Sequence, residues 1–247
     1  YAVANKEPNR DDFEAGKAQQ PKAERLQDLE GSISYSNNAF SWVLTGFYMH
    51  YKDQLVLTGQ INDVGAYTRT NIPKSYRAGV EAEGTYRFCK YANIAANLAV
   101  STNKVLDFTE YIDDYDNGGQ QVKHYTSTDI AYSPAVVGSG TLNLLPCKHL
   151  ELSFISKYVS KQYLDNTENE DRKLNAFFVQ DISARYVVRI KHIREASIIA
   201  RVNNVFSRKY EPNGYTYSYF YGGVTATENY YFPMAGRNAV VALNLRF

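Results

Sequence analysis

Ser75-Tyr76-Arg77-Ala78-Gly79-Val80-Glu81-Ala82-Glu83-Gly84-Thr85-Tyr86-Arg87-Phe88 decides how the rest of the chain is read. Tyr76, Ala78, Val80, Ala82, Gly84, Tyr86 and Phe88 fall on one side of an extended chain. Ser75, Arg77, Gly79, Glu81, Glu83, Thr85 and Arg87 fall on the other. A period of two is the pattern of a strand with one apolar and one polar face. The next stretch repeats it, with Ile94, Ala96, Leu98 and Val100 alternating against Asn93, Ala95, Asn97, Ala99, Ser101 and Asn103. Only Cys89-Lys90-Tyr91-Ala92 separates the two, which is the spacing of a hairpin.

The same test predicts nine strands, near Gln27–Ser36, Phe40–Leu57, Arg69–Phe88, Ala92–Leu106, Tyr132–Leu145, Leu150–Tyr163, Ala176–Arg189, Ala196–Phe206 and Arg237–Phe247. The connections alternate in length. Asn37–Ala39, Cys89–Tyr91, Pro146–His149 and Ile190–Glu195 are tight, whereas Thr58–Thr68, Asp107–Ala131, Leu164–Asn175 and Ser207–Gly236 are long and polar or aromatic. In an up-and-down meander, alternate connections lie at the same end, so one end carries tight turns and the other large loops. Composition agrees with an all-β chain: 22 Tyr and 12 Phe among 247 residues favour strands. Lys and Arg total 27 against 26 Asp and Glu, which gives no sign of a nucleic-acid partner. Mean hydropathy is -0.44, and no apolar run approaches the roughly 18 residues of a spanning helix.

Strict sorting of loop lengths by end is the habit of transmembrane barrels, whose strands alternate apolar-out and polar-in. The last strand has that form, with Ala239, Val241, Leu243, Leu245 and Phe247 on one face and Asn238, Ala242, Asn244 and Arg246 on the other. A sheet in hydrocarbon has to close, and bacterial barrels have an even strand number. Nine is odd, and with the C-terminus on the tight-turn side Tyr1–Arg25 falls among the long loops. The N-terminus shows neither an initiating Met nor a signal peptide. The expectation is therefore a C-terminal portion of a larger barrel. Arg77, Glu81, Glu83, Arg87, Glu151, Lys157, Asp181, Arg185, Arg189 and Arg201 would point inward, where water, a plug or one another must satisfy them.

Several stretches resemble the TonB-dependent outer-membrane receptor family. Asn203-Asn204-Val205-Phe206-Ser207-Arg208-Lys209-Tyr210 is similar to the family's Asn-Leu-Phe-x-x-x-Tyr strand, and Gly236-Arg237-Asn238 leads into a terminal strand ending on Phe247. Tyr48-Met49-His50-Tyr51-Lys52-Asp53-Gln54-Leu55 and Asn71-Ile72-Pro73-Lys74-Ser75-Tyr76-Arg77-Ala78-Gly79-Val80-Glu81 also look like receptor segments. The resemblance implies that residues 1–247 are the C-terminal part of a 22-stranded barrel, without the plug domain and the earlier strands. It implies an integral protein of the bacterial outer membrane with a periplasmic C-terminus, and TonB-coupled import of a ferric siderophore or cobalamin-like ligand. Its partners would be the plug domain, the TonB complex, outer-membrane lipid and the barrel-assembly machinery, with Phe247 as the assembly signal. No cofactor and no catalysis are implied.

Tyr215, Tyr217, Tyr219, Phe220 and Tyr221 are candidate ligand contacts, because aromatic faces with a hydroxyl handle suit a large amphipathic ligand. The same residues could form an aromatic girdle and a self-packed loop. Arg77, Glu81, Glu83, Arg185 and Arg201 are candidate lumen or plug contacts. In the acidic loop, Asp107, Glu110, Asp113, Asp114, Asp116 and Asp129 against Lys123 give a net of -5. Within it Asp114-Tyr115-Asp116-Asn117-Gly118-Gly119 is weakly similar to a calcium loop, but the Glu at its twelfth position is missing, and the segment reads rather as a solvated acidic loop. Cys89 and Cys147 sit in separate tight turns, beyond disulfide reach, and are expected as free thiols. His50, His124, His149 and His192 form no metal pattern. Two alternatives remain: a soluble tyrosine-rich β-sandwich that binds carbohydrate, and a barrel enzyme built on Asp113, His124 and Ser127 at the outer rim.

Overall fold

The computed structural model describes residues 1–9, 12–13, 20–61, 67–188 and 193–246. The strands are β1 (Ala2–Lys6), β2 (Glu24–Ser36), β3 (Phe40–Ile61), β4 (Tyr67–Cys89), β5 (Ala92–Asp114), β6 (Gln120–Asp129), β7 (Val136–Cys147), β8 (Leu150–Val159), β9 (Gln162–Tyr163), β10 (Lys173–Leu174), β11 (Phe177–Val188), β12 (Glu195–Asn203), β13 (Asn213–Tyr221), β14 (Val224–Phe232) and β15 (Asn238–Arg246). Ten of them form a single antiparallel path in the order β1-β2-β3-β4-β5-β7-β8-β11-β12-β15. Among the described residues β1 and β15 each pair on one side only, so the sheet is open. One continuous sheet is not the pair of packed sheets that a soluble sandwich requires. No helix of the described residues is long and apolar enough to cross a membrane, which says nothing of strands.

All nine expected strands form, and a tenth joins them. β1 pairs with β2 from Ala2↔Asp28 to Lys6↔Glu24, inside the segment expected as loop. Five residues with Val3 as the only large apolar side chain are too few for alternation to register. The expected strand at Tyr132 instead starts at Val136, because Tyr132 has φ 53° and Pro134 follows it. Likewise β12 stops at Asn203, where Asn204 turns the chain at φ 50°. Phe247, Arg189 and His192 lie outside the described residues.

Cross-strand register turns the alternation into two surfaces. One row of partners runs Ile33–Leu44–Ala82–Leu98–Gly138–Tyr158–Phe178 across seven strands. One residue further along, the row is Ser34–Val43–Glu83–Asn97–Ser139–Lys157–Val179. The first face is apolar. The second is stitched by polar side chains, with Ser41 bonded to Thr85 at 2.6 Å, Asn97 donating to Ser139 at 2.9 Å and Asn143 donating to Asn93 at 3.0 Å.

The long connections are where sequence reading departs most from the structure. β3 and β4 continue through much of the expected Thr58–Thr68 loop, as far as Ile61↔Tyr67. β5 runs on beyond the main sheet and pairs with β6 through the expected acidic loop, from Lys104↔Asp129 to Asp113↔Gln120. The aromatic loop is the β13–β14 hairpin. Since both faces of an open sheet stay accessible, the packed core sits at this end. Ile72, Val105, Phe108 and Ile130 bury one another there against Val56 and Tyr125.

Candidate functional site: a tyrosine-walled cleft at the long-loop end

A cleft of about 520 Å³ opens among the extensions of β3 and β4, the β5–β6 hairpin, the segment Leu164–Thr167 and β13. The walls from β3, β4 and β5 exist because these strands run on beyond the main sheet, while β13 reaches the cleft off the main path through its pairing with β14 and β5. The floor is a buried ion network. Arg172, 5% exposed, pairs with Glu110, 6% exposed, and with Asp165 at 2.9 Å. Tyr125 donates its hydroxyl to Glu110 at 2.7 Å. Burial, reinforced by Glu110, pushes the Tyr125 phenol far above its ordinary range. Burial works against the Arg172 charge, but Glu110 and Asp165 outweigh it and hold the guanidinium above its usual value.

The tyrosine wall comes from period two inside the aromatic segment. Tyr215, Tyr217 and Tyr219 share one side of β13, and Tyr230 joins them from β14. Tyr215 and Tyr230 stack at 4.9 Å between centroids with planes 8° apart; Tyr217 and Tyr230 stack at 6.1 Å and 10°. Glu228 gathers three hydroxyls of this array, from Tyr230 at 2.6 Å, Tyr219 at 3.1 Å and Tyr217 at 3.2 Å. Those donations, Tyr230's first, lower the Glu228 pKa and raise those of Tyr230 and Tyr219. Tyr132 ties the wall to the sheet, its hydroxyl donating to the Gly214 carbonyl at 2.9 Å.

Of the five aromatic candidates, Tyr215 and Tyr217 line the cleft. Tyr219 stacks on Tyr217 at 6.1 Å and meets Tyr115 edge-on at 5.8 Å. Phe220 belongs to the junction with β5, where its carbonyl accepts from the Tyr115 amide at 2.9 Å. Tyr221 sits at the hairpin tip, 64% exposed.

The five charged candidates do not form one cluster. Arg77 lines the cleft, donating to Asn103 at 3.2 Å and Ser133 at 2.9 Å; no carboxylate pairs with it among the described residues. Lys6 and Arg69, on the same cleft, pair with Glu24 and Asp12. Glu81 and Glu83 lie further along the polar face, with Glu83 in a shallow depression beside Ser41, Thr85 and Asn97. Arg185 and Arg201 are on β11 and β12, and Arg201 pairs with Asp181 at 2.6 Å. That aspartate also accepts the Asn204 amide at 2.8 Å. Asn204 in turn donates to the carbonyls of Arg208 and Ala235, which pins the Asn203–Tyr210 motif as a turn.

Asp114 accepts the Asp116 and Asn117 amides and the Gln121 side chain, while Asp116 accepts the Gly222 and Gly223 amides, so these carboxylates are engaged by the protein itself. Among the described residues no group of three His, Cys, Asp or Glu suits a metal ion. Asp113, His124 and Ser127 do not converge. His124 pairs with Thr109, four residues or about 13 Å of strand from Asp113, and Ser127 is three residues on, where alternation reverses the face. Cys89 and Cys147 are free and exposed. Glu228 and Arg172 escaped sequence reading, which took Tyr230 only as one aromatic of the Ser207–Gly236 loop and Glu110 only as one charge of the acidic loop; the Tyr-x-Tyr-x-Tyr alternation before Gly222-Gly223 was the available signal.

With open two-faced sheet, sorted connections and a cleft at the long-loop end in place, the family follows. The model for the TonB-dependent receptor-like β-barrel matches residues 8–205, and the chain belongs to that family. Among solved structures, the siderophore receptor PiuA from Acinetobacter baumannii is similar at TM-score 0.67 and 16% identity, over 92% of this chain and 29% of that one. The copper transporter OprC is similar at TM-score 0.71 and 16% identity, over 99% and 37%. The ferric yersiniabactin uptake receptor FyuA from Yersinia pestis gives 0.60 and 19%, over 90% and 29%. The chain thus spans about a third of the length of these structures. No curated protein matches the sequence.

Proposed function

We propose that residues 1–247 form the C-terminal portion of a receptor barrel in the bacterial outer membrane, which with its earlier strands and a plug imports a scarce ligand under TonB coupling. Family membership supports the class, and the two-faced wall supports the membrane setting. In this reading the apolar rows face lipid, the long loops face outward and the C-terminus is periplasmic. Binding and translocation, not catalysis, are its work.

The observation that carries the ligand reading is the cleft that Tyr215, Tyr217 and Arg77 line. Stacked phenol faces offer apolar area with polar edges, and Arg77 adds a cation that has no carboxylate partner among the described residues. Soft ions such as copper are held by thiolate, thioether or imidazole. Among the described residues no Cys, Met or His lines the cleft. An intact, partly anionic chelate such as a ferric siderophore fits this lining better than a bare metal ion, although OprC is a copper transporter.

The test is binding of ferric siderophores and of cobalamin to the full-length receptor, alongside growth on each as sole source. A ferric siderophore should bind, and Tyr215→Ala with Tyr217→Ala should weaken it by tenfold or more. Selective binding of cobalamin would replace the ligand, and binding of neither with retained copper binding would sink the chelate reading.

A further inference from the structure

The tight-turn end bears two cations that have no acidic partner among the described residues. Lys90 stands at the tip of the β4–β5 turn and Lys148 at the tip of the β7–β8 turn. Neither pairs with a carboxylate among the described residues, and the ammonium of Lys90 lies 4.8 Å over the Tyr91 ring. The two turns are neighbours, because β5 pairs with β7 from Ala92↔Leu144 onward and the Leu145 amide donates to the Tyr91 carbonyl at 2.8 Å.

They are not level. The β4–β5 hairpin closes at Cys89↔Ala92, whereas β7–β8 shifts register after Leu144 and closes at Cys147↔Leu150, two residues further along β8, with one extra residue taken up by the bulge on β7. At about 3.4 Å per residue the second turn overhangs the first by about 7 Å. The result is a step, with Lys90 at the tip of the lower turn and Lys148 at the tip of the overhanging one. Beside it Phe88 and Tyr91 are 55% and 53% exposed. The apolar face begins directly beyond, with Ile94 opposite Leu142 and Leu144 opposite Leu152. By contrast the Asn37–Ala39 turn, at the same end of the same sheet, carries no charge; Asn37 there caps the Ala39 and Phe40 amides at 2.9 and 2.8 Å.

We propose that this step binds the phosphate headgroup of an anionic phospholipid, with Lys90 and Lys148 on either side of the phosphate and the acyl chains along the Ile94–Leu142 and Leu144–Leu152 rows. Two ammonium groups on long flexible stems match a phosphodiester. The adjoining aromatic and aliphatic surface selects a phosphate that carries hydrocarbon over one free in solution. The proposal rests on the membrane placement given under the proposed function.

The test is native mass spectrometry of the full-length receptor in a neutral detergent, with added cardiolipin, phosphatidylglycerol or phosphatidylethanolamine, and inorganic phosphate as competitor. The wild type should retain an anionic lipid and not phosphatidylethanolamine. The Lys90→Gln/Lys148→Gln double variant should retain it at least tenfold more weakly, while Lys123→Gln at the opposite end behaves as wild type. Heat-modifiable migration on gels confirms that each variant is folded. Equal retention by the double variant, or equal retention of phosphatidylethanolamine, overturns the proposal. Displacement of the lipid by millimolar inorganic phosphate overturns the lipid and leaves a plain anion site. Ferric-chelate binding on the same samples should not change in the double variant, so a failed ligand reading and a failed lipid site give separate signatures.

Discussion

Asp116 and Gly222, 106 residues apart, join the two hairpins that roof the cleft. The Gly222 amide donates to Asp116 Oδ1 at 2.9 Å, and the next amide, of Gly223, to Oδ2 at 2.8 Å. Both glycines have positive φ, 63° and 78°, so this two-residue turn presents successive amides to one carboxylate. A short parallel pairing, Tyr219↔Asp113 and Phe220↔Asp114, continues the junction. Asp116→Ala should release the β13–β14 tip. With the carboxylate exposed to water, the loss should be about 1 kcal/mol, below the range for buried charged hydrogen bonds. Hydrogen exchange at Gly222 and Gly223 should speed up about fivefold. Unchanged exchange would mean that the tips hold without Asp116.

The acid end of the pH scale should loosen the tyrosine wall. Glu228 has its pKa lowered from 4.5 by hydroxyls from Tyr230, Tyr219 and Tyr217. A depressed folded pKa contributes stability that is complete above 4.5 and is lost as pH falls through the folded value. Tyr230 is shifted the opposite way, raised from 10.0 chiefly by Glu228, so its contribution is complete below 10.0 and lost at higher pH. The near-ultraviolet circular dichroism of the stacked tyrosines should be flat between these limits and decay below pH 4.5. In Glu228→Gln the acid-side decay should vanish, and a decay identical to wild type would assign it to another group.

The walls of this molecule were legible from sequence because a barrel strand meets two solvents. At Tyr76–Phe88 every second residue answers to a different medium, so the alternation survives without tertiary information. The cleft was less so. Tyr215, Tyr217 and Tyr219 stood out by composition, but their partners Tyr230 and Glu228 come from the returning strand, and only the register Tyr217↔Glu228 brings them together. Arg172 and Glu110 are 62 residues apart, and no local pattern links them. The acidic segment suggested a solvated loop because β6 is polar on both faces; it is ordered by pairing with β5, which no hydrophobic period reports.

Gly79 and Gly46 should respond oppositely to alanine. A Cβ on Gly79 would lie 2.5 Å from the Val100 carbonyl, 2.8 Å from Ser101 Cβ and 2.9 Å from the Phe47 ring. Two of these neighbours are backbone or near it and cannot swing aside. Gly79→Ala should therefore cost about 1–3 kcal/mol, as overpacking does. Gly46, opposite Val80 on the apolar face, has nothing within 4 Å of a built Cβ. Gly46→Ala should be neutral or stabilising by up to about 1 kcal/mol through the unfolded chain. Urea unfolding of the full barrel distinguishes them, and equal midpoints would show that β3, β4 and β5 do not approach as closely as their register requires.

Cys89 and Cys147 provide a built-in test of which end faces out. Both thiols are free, exposed and confined to the tight-turn end, at the close of the β4–β5 and β7–β8 hairpins. If that end is periplasmic, a membrane-impermeant maleimide added to intact cells should leave both unlabelled, and permeabilising the outer membrane should expose both. Asn117→Cys, at the exposed β5–β6 tip, should give the opposite result and label in intact cells. The two native sites act as one readout, since β5 pairs with β7 and their turns lie side by side. Labelling of Cys89 and Cys147 in intact cells, with Asn117→Cys protected, would invert the barrel and with it the outward placement of the tyrosine cleft.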